Sequence, residues 1–462
     1  METSEASTSV GARLDRLAWK PVHTRITLAL GIGWLLDAFE VNVVGSVLGV
    51  LKDLWHLTDS QASAIVSVWL IGLMIGALFF GYLADRFGRR KLFILTLLLY
   101  SGATVISALS PGYAFFLLFR FLTAIGVGAE YSAINAAIGE LIPARYRGRA
   151  NAAVMNFWPF GTILAAFMTL YFINRFPPAI GWRFAFGLGA IIALFTLWIR
   201  RVLPESPRWL QQKGRDREAQ EVLAGLEAGV THFPAPQTTG ARAAIAPQGL
   251  FSQLKQLAKE QPGRLALGCA LDFTEAAGYY GIFAFLPLVV LPRIGIGQRE
   301  VPMFFLIGSV GAVVGGAIAA VSLDKLGRKP TVTAFYILAA LSMLAMGAAT
   351  LRGSAHGVLW AFVIVNLCAT GSWVSAYPTF SEIFPTRSRS TGIGASVAFG
   401  RIGAALAPPL LVFLAHRVSV MAGFGVLSAF YALGAVAMIP WWIWGPEGRN
   451  QPLEVLAMEK SA

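Results

Sequence analysis

The chain has 462 residues, of which 56% are hydrophobic and only 13% carry a charge. About a quarter of the residues of a soluble globular domain are charged, so this composition excludes an ordinary water-soluble protein. The formal net charge of +13 would suit a nucleic-acid-binding surface, but the charges lie almost entirely between the apolar stretches. This placement is typical of the positive-inside rule and argues against nucleic acid as a partner.

Twelve apolar stretches are long enough to cross a bilayer, since a membrane-spanning helix needs about 20 predominantly apolar residues. The predicted spans are 26–51, 61–84, 92–110, 114–140, 149–173, 183–201, 263–291, 302–323, 331–350, 357–384, 391–415 and 420–445. The sequence therefore predicts an all-α membrane protein with twelve transmembrane helices. Most of the 37 Lys and Arg residues fall on one side of these spans. This bias predicts a bacterial-type inner-membrane protein with both termini in the cytoplasm.

The two halves of the chain repeat one pattern. The segment ELIPARYR from Glu140 recurs as EIFPTRSR from Glu382, and Glu205 recurs as Glu447, both at an offset of 242 residues. The predicted organisation is a tail 1–25, a six-helix bundle 26–201, a connector 202–262 with one short helix near 216–228, a second bundle 263–445 and a tail 446–462. The polar first segment, METSEASTSVGARLD, is expected to be disordered.

Several loop motifs carry a family resemblance. GYLADRFGRRK at 81–91, with a weaker copy at 320–329, resembles the signature of the major facilitator superfamily between helices 2 and 3 and between helices 8 and 9. PESPRWL at 204–210 and the terminal PEGRNQPLE are similar to motifs of the sugar porters and of the related synaptic-vesicle-protein and organic-ion-transporter branch. The resemblance implies two bundles that rock about a central site and open it alternately to each side.

Two departures from the sugar-porter pattern bear on the substrate. The paired glutamines and the asparagine of helix 7 are replaced by LDFTEAAGYYG, and the glutamine of helix 5 is absent from NFWPFGTIL. Sugar hydroxyls need amide partners, so the loss disfavours a sugar. Asp37 and Glu40 on helix 1 instead resemble the acidic pattern of the branch that includes carriers of nicotinate and other organic acids. We therefore expect a secondary active transporter that takes up a small aromatic or nicotinate-like carboxylate by proton-coupled symport. The alternatives are a proton-coupled symporter of a sugar or polyol, a transporter of a drug or organic cation, and a membrane solute sensor of the same fold that does not transport.

Ionisable groups inside the predicted spans identify candidate coupling residues, because each costs about 2.5–3.5 kcal/mol or more at the centre of a membrane. Asp37 and Glu40 lie three residues apart on helix 1, and Asp272 and Glu275 repeat that spacing on helix 7. Two crowded carboxylates cannot easily both be ionised, so one of each pair is a candidate to bind a proton. Arg120 matches the arginine that pairs with the helix 1 acid in proton-coupled sugar porters. The resemblance assigns coupling to Asp37 first and Glu40 second, or else a static ion pair that fixes helix register.

Arg401 on helix 11 is the other cation deep in a span, and it resembles the helix 11 arginine of organic anion transporters. It is a candidate partner for a substrate carboxylate. It would equally serve to neutralise Asp272 or Glu275, since charges inside membranes usually pair with one another. Further substrate-contact candidates are polar or aromatic residues that also suit simple packing. They are Glu130, Tyr131, Asn135, Trp158, Asp272, Glu275, Tyr279, Tyr280, Trp373 and Tyr377.

Loop charges form a predicted gating apparatus. Asp85 is expected to bind the arginines that follow it and to act as a cytoplasmic latch of the outward-facing state. A solvated surface is the usual role of loop charges, but their duplication in both halves argues against it here. The predicted gating residues are Gly81, Asp85, Arg86, Gly88, Arg89, Arg90, Glu140, Arg147, Glu205, Asp324, Gly327, Arg328, Glu382, Arg389 and Glu447.

The remaining predictions concern chemistry and partners. The sequence shows neither a metal-spaced His/Cys cluster nor a nucleophile with a neighbouring base, so we expect no enzyme activity, no metal and no cofactor beyond the coupling proton. The expected partners are a small-molecule substrate and the lipid bilayer. Carriers of this fold usually work as monomers, so a monomer is expected.

Overall fold

The computed structural model describes residues 10–199, 203–229, 249–296, 301–385, 388–449 and 451. Within these ranges the chain forms twelve long helices. They are α1 Pro21–Leu54, α2 Asp59–Phe87, α3 Arg89–Ala108, α4 Tyr113–Leu141, α5 Arg147–Met155 continued by Phe157–Arg175, α6 Pro178–Ile199, α7 Pro262–Phe285, α8 Val301–Lys325, α9 Arg328–Leu351, α10 Ala355–Ile383, α11 Arg389–Arg417 and α12 Val420–Trp444. The twelve predicted spans correspond to these helices.

Length and apolar composition explain why these segments are membrane helices. Ten of the twelve are long and apolar enough to cross a membrane on these grounds alone. The other two, α6 and α7, have 22 and 24 residues, which is about 33 and 36 Å of helix and matches a hydrocarbon core of about 30 Å. The apolar character of α7 is reduced because Asp272 and Glu275 lie within it.

The packing of the helices repeats in the two halves. In the first half α1 packs on α5 and α6, α2 and α3 pack on α4, and α3 and α5 pack on α6. In the second half the corresponding pairs are α7 with α11 and α12, α8 and α9 with α10, and α9 and α11 with α12. Each of these contacts of one bundle therefore has its counterpart in the other, and the predicted pair of pseudosymmetric six-helix bundles is confirmed.

The contacts between the halves are also paired. α2 packs on α11, its counterpart α8 packs on α5, and α4 meets α10 across the pseudosymmetry axis. Within the bundles small residues allow backbones to approach closely, as in other membrane helices. A Cβ at Gly76 would collide with the backbone of Ile125, and one at Gly315 would collide with the backbone of Leu367. These glycines serve packing of α2 on α4 and of α8 on α10.

The helix ends near Gly88 and Gly327 and the connector lie at one end of the bundle, which we call the terminal face. Here the structure corrects two predictions. The tail expected to be disordered contains a helix, Val10–Asp15, and α1 begins at Pro21 rather than at residue 26. The connector holds the predicted helix Asp216–Ala228 but also Pro207–Gln212 and Leu250–Glu260. Predictions for residues 1–9, 200–202, 230–248, 450 and 452–462 lie outside the described residues.

Candidate functional site

A small cavity of about 10 Å³, room for about one water molecule, lies between the two halves. A substrate therefore needs the halves to move apart before it can occupy this place. The walls of the cavity come from α4, α5, α7, α10 and α11. The lining residues are Tyr131, Trp158, Glu275, Tyr279, Tyr280, Trp373 and Arg401. All seven are among the predicted substrate-contact residues, and the structure brings them together.

Aromatic rings from both halves meet at this cavity. The ring of Trp34 on α1 lies 4.6 Å from the ring of Tyr131 and stacks on that of Trp373 at 5.9 Å, centroid to centroid. Trp158 meets Trp373 edge to face at 5.3 Å. The indole N–H of Trp158 also donates a hydrogen bond of 3.1 Å to the hydroxyl of Tyr279 on the opposite half. The site is therefore a set of rigid ring faces, which is suited to stacking on a planar ligand.

Arg401 places a buried cation in this aromatic wall. Its guanidinium carbon lies 5.1 Å from the ring centroid of Tyr131 and 5.3 Å from that of Tyr280. Its Nη2 donates a 3.4 Å hydrogen bond to the hydroxyl of Tyr377. Among the described residues no carboxylate oxygen lies within the 4.0 Å limit of an ion pair with Arg401. Two cation–π contacts hold the side chain while its charge faces the cavity.

The two acids of α7 occupy different positions. Glu275 lines the cavity, whereas the carboxylate of Asp272 lies directly against the backbone of α11 at Gly400. Asp272 interacts electrostatically with Arg401 and Tyr377. The sequence offered Asp272 or Glu275 as an acid that Arg401 would neutralise. Within the described residues Arg401 forms no direct ion pair with either acid, and it interacts with Asp272 only over a longer distance.

The first half holds a separate charged group away from the cavity lining. Arg120 donates to a carboxylate oxygen of Glu40 at 3.2 Å, and the hydroxyl of Thr104 donates to the same oxygen at 3.1 Å. The guanidinium of Arg120 also lies 5.4 Å from the ring of Phe186, and Gly189 leaves the space that the Glu40 carboxylate fills. The pair is buried, and it joins α1, α3, α4 and α6.

This arrangement bears on the two acids of α1. The sequence assigned coupling to Asp37 first and offered a static Asp37–Arg120 ion pair as the alternative, but the structure pairs Arg120 with Glu40. Asp37 is fully buried and is close enough to Tyr131 for an electrostatic interaction. A separation of three residues leaves about 60° between the two side chains around the helix, and this rotation sends them to different neighbours.

Three other predicted residues lie away from the places expected of them. Glu130 is buried against α3, where the hydroxyl of Thr96 donates to it at 3.5 Å. The side chain of Asn135 donates to the carbonyl of Tyr131 and accepts from Asn151, so it joins α4 to α5. Neither belongs to the cavity lining. In the gating loop, Arg86 is exposed and lies over the ring of Phe87.

On the terminal face, Arg89 is the centre of the network in the first half. It bonds Asp85 and Glu140, both at 2.9 Å, and its backbone N–H donates to Glu205 at 2.9 Å. Burial raises the pKa of the Glu205 carboxyl above its ordinary value, while the N–H groups of Ser206 and Arg89 oppose the rise. Glu205 also accepts from the N–H of Arg90 at 3.3 Å.

The second half repeats this network. Arg328 bonds Glu382 through two nitrogens at 2.8 and 2.9 Å, and its backbone N–H donates to Glu447 at 2.8 Å. Gly88 and Gly327 have positive φ angles of 99° and 100°, and a Cβ on either would meet the Glu205 or Glu447 carboxylate. The motif glycines are thus required by the turn and by the acid that covers it. Gly81 is buried near the end of α2.

Three contacts tie the halves together on this face. Asp85 accepts hydrogen bonds of 2.8 Å from both the backbone N–H and the hydroxyl of Thr391, at the start of α11. Asp324, its counterpart, pairs with Arg149 at the start of α5 at 2.9 Å. Arg389 donates to Glu140 at 3.2 Å. A carboxylate at a helix N-terminus is favourable, so Asp85 closes this face on α11.

Arg147, the counterpart of Arg389, departs from the symmetry. It donates to Asp15 of the N-terminal helix at 2.9 Å, and Arg208 donates to the other oxygen of Asp15 at 2.7 Å. The side chain of Asp15 is only 6% exposed. An acid from the first residues of the chain thereby compensates two buried cations, which is what buried charges require.

Sequence reasoning missed four residues that the structure places in these groups: Trp34, Thr104, Thr391 and Asp15. Trp34 precedes Asp37 by three residues on the same helix, a spacing that would have placed it on the same side of α1. The other three make contacts over long sequence separations, and their residue types carry no comparable signal.

Two pseudosymmetric bundles with a cavity between them and a charged network that closes one face are the architecture of a multi-pass membrane transporter of a small molecule. The chain belongs to the family described as Sugar (and other) transporter, whose profile matches residues 22–458.

Known proteins resemble the chain over nearly its whole length. It is 30% identical to the niacin transporter NiaP of Acinetobacter baylyi, covering 92% of this chain and 94% of that protein. It is 26% identical to the inner membrane metabolite transport protein YgcS of Escherichia coli K12, covering 96% and 95%. Its fold matches the proton:xylose symporter XylE bound to 6-bromo-6-deoxy-D-glucose with a TM-score of 0.78, 23% identity and coverage of 94% and 98%. The fold is that of the major facilitator superfamily.

Proposed function

We propose that the protein is a proton-coupled symporter that takes up a small aromatic monocarboxylate, of the nicotinate type, across a bacterial inner membrane. The observation that carries the proposal is the guanidinium of Arg401, held over two tyrosine rings at the wall of a small aromatic cavity. An arginine fork matches a carboxylate, and the surrounding ring faces match a planar ring. The similarity to a niacin transporter supports the same ligand class.

Two other ligand classes fit the cavity less well. Its described lining has no asparagine or glutamine, and sugar hydroxyls need such partners to be held selectively. An organic cation is the second candidate, because Glu275 lines the cavity and Asp272 lies close behind it. A cation would meet Arg401 in the same small space, and we therefore rank the carboxylate first.

Proton coupling is assigned to Glu40. Its ion pair with Arg120 is buried among four helices of one bundle, where protonation of the carboxylate would remove the attraction that holds α1 to α4. If this ion pair is present in only one of the two access states, protonation of Glu40 would shift the balance between the states. Asp37, close to Tyr131 and hence to the cavity, remains the second candidate.

The terminal face is proposed to be cytoplasmic, with both termini on that side, because the basic loops gather there. Its network is closed, so the structure would correspond to a state shut towards the cytoplasm. The transporter is proposed to act as a monomer, since each chain contains both bundles and a complete cavity between them.

Purified protein in lipid vesicles tests the proposal. With an inward proton gradient, we expect accumulation of labelled pyridine-3-carboxylate but not of its neutral amide, because only the acid pairs with Arg401. Glu40→Gln should abolish accumulation yet preserve exchange of labelled for unlabelled acid, and Asp37→Asn is the matched comparison. Binding without accumulation would indicate a sensor, while equal transport of acid and amide would refute the role of Arg401.

A further inference from the structure

The carboxylate of Glu275 is an acid that the proposed transport of a monocarboxylate does not use. The residue is 4% exposed, yet it lines the cavity. Within the described part of the chain its side chain makes no hydrogen bond within 3.5 Å and no ion pair within 4.0 Å. Asp272, one turn earlier, differs because it lies against Gly400 and outside the lining.

The cavity therefore has two poles of opposite character. Arg401 is held on α11 by the rings of Tyr131 and Tyr280, and Glu275 projects from α7 into the same space. The two poles do not approach within ion-pair distance, so each retains hydrogen-bonding capacity towards the cavity. A buried polar atom without a partner costs about 1–3 kcal/mol, and a ligand that reaches both poles would give partners to the Glu275 carboxylate and to Nε of Arg401.

We propose that Glu275 is a specificity-determining residue that hydrogen-bonds a ring nitrogen of the substrate while Arg401 binds its carboxylate. The inference rests on the proposed function and names the residue that distinguishes a ring with a nitrogen from one without. Glu275 and the ring nitrogen share one proton. Either a protonated Glu275 donates it to a neutral ring nitrogen, or the Glu275 carboxylate accepts from a ring N–H.

The rings around the poles are consistent with this ligand. Trp158 and Trp373 line the cavity and meet edge to face, and the hydroxyl of Tyr279 accepts a hydrogen bond from Trp158. A flat heteroaromatic ring can lie among these rings with one polar group at each end. In this state the cavity has room for about one water molecule, so the ring would enter when the two halves move apart.

Calorimetric titration of the purified full-length protein with pyridine-3-carboxylate and with benzoate tests this role. Benzoate has the same carboxylate and ring size but lacks the nitrogen. For Glu275→Leu we expect pyridine-3-carboxylate to bind about tenfold more weakly, the effect of losing one hydrogen bond of about 1.4 kcal/mol, and benzoate to change less than about twofold. Glu275→Gln keeps a side chain of the same size that can hydrogen-bond the nitrogen, so it should restore most of the affinity.

The outcomes separate this inference from the proposed function. If the wild-type protein binds neither acid, the proposed function fails as well. If it binds both acids and Glu275→Leu weakens both by the same factor, or neither, only the role of Glu275 is overturned. A Glu275→Gln variant that behaves like Glu275→Leu would likewise overturn it. The thermal melting temperature of each variant shows whether the protein remains folded.

Discussion

Replacing Asp85 by asparagine should open the terminal face. The Asp85 carboxylate accepts two hydrogen bonds of 2.8 Å from Thr391, one from the backbone N–H and one from the hydroxyl. These bonds join α2 to α11 across the two halves, whereas the bond from Arg89 lies within one half. Of the bonds to Asp85, those from Thr391 and a longer one of 3.4 Å from the backbone N–H of Ser390 are lost when the face opens. Their strength therefore contributes to the balance between the closed and open states.

The size of the effect follows from these contacts. A hydrogen bond to a charged group contributes about 1.5–3 kcal/mol, and a carboxylate at a helix N-terminus adds about 0.3–1 kcal/mol. Asparagine retains one oxygen but no charge, so we expect a loss of about 2–4 kcal/mol from the closed state. At about 1.4 kcal/mol for each factor of ten, the equilibrium should shift by roughly 30- to 700-fold towards opening.

The pseudosymmetry of the fold supplies the control. Asp324 stands at the corresponding loop and pairs with Arg149, whose side chain is 64% exposed. An ion pair this open to solvent contributes about 0–1 kcal/mol. Asp324→Asn should therefore change the equilibrium by less than about fivefold, although Asp324 lies in the second copy of the same motif.

Labelling of a single cysteine measures the opening. Cys269 and Cys368 would be replaced, and Ser388, which is buried beside the start of α11, would be changed to cysteine. We expect a water-soluble maleimide to label this position at least tenfold faster in Asp85→Asn than in the background, and nearly unchanged in Asp324→Asn. Equal effects of the two substitutions, or none for Asp85→Asn, would refute the reasoning.

Two further substitutions test the site and the N-terminal helix. Gly400→Ala should cost about 1–3 kcal/mol and weaken carboxylate binding, because its Cβ would strike Asp272 beside Arg401. Melting and titration would show this against Gly425→Ala, whose Cβ meets nothing within 4 Å. Equal losses in both would contradict the contact. Asp15→Ala should cost about 3–5 kcal/mol, because it leaves Arg147 and Arg208 buried without their acid. Glu227→Gln, which breaks the exposed pair with Arg13, should cost under about 1 kcal/mol, and a reversed order of melting temperatures would show that Asp15 is not needed.

The architecture was predictable because its causes are local or repeated. Spans of about 20 apolar residues have few alternatives to a membrane helix, since a bilayer offers no partner for free backbone groups. The network of the terminal face was predictable because its motif residues occur in both halves of the sequence. Glu140 and Glu382, or Glu205 and Glu447, occupy matched positions in sequence and in the structure.

The partners of individual charges were not predictable in the same way. Asp37 and Glu40 are both acids on the same side of α1, and the sequence alone gave no reason to prefer Glu40. The choice depends on space beside Gly189 and on a donor from Thr104, both of which come from distant helices. Asp15 reaches Arg147 over 132 residues for the same reason. Such contacts are set by packing, which is not periodic in sequence.

Proton coupling and substrate binding are proposed at residues that the repeat does not duplicate, since neither Arg120 nor Arg401 has an arginine at the matching position of the other half. At the offset of 242 that relates Glu140 to Glu382, the counterpart of Arg120 is Phe362, which packs against Phe283 and Phe305. The acids of α7 thus have no arginine from α10, and the cation nearest to them, Arg401, comes from α11 at the cavity wall.

At the same offset the counterpart of Arg401 is Pro159, beside the cavity residue Trp158. The first half therefore neutralises Glu40 inside its own bundle and offers only rings to the cavity, while the second half leaves both a cation and an acid facing it. A proton that binds in the first half and a charged ligand that binds in the second would act on different helices, and the closed terminal face is where those helices meet.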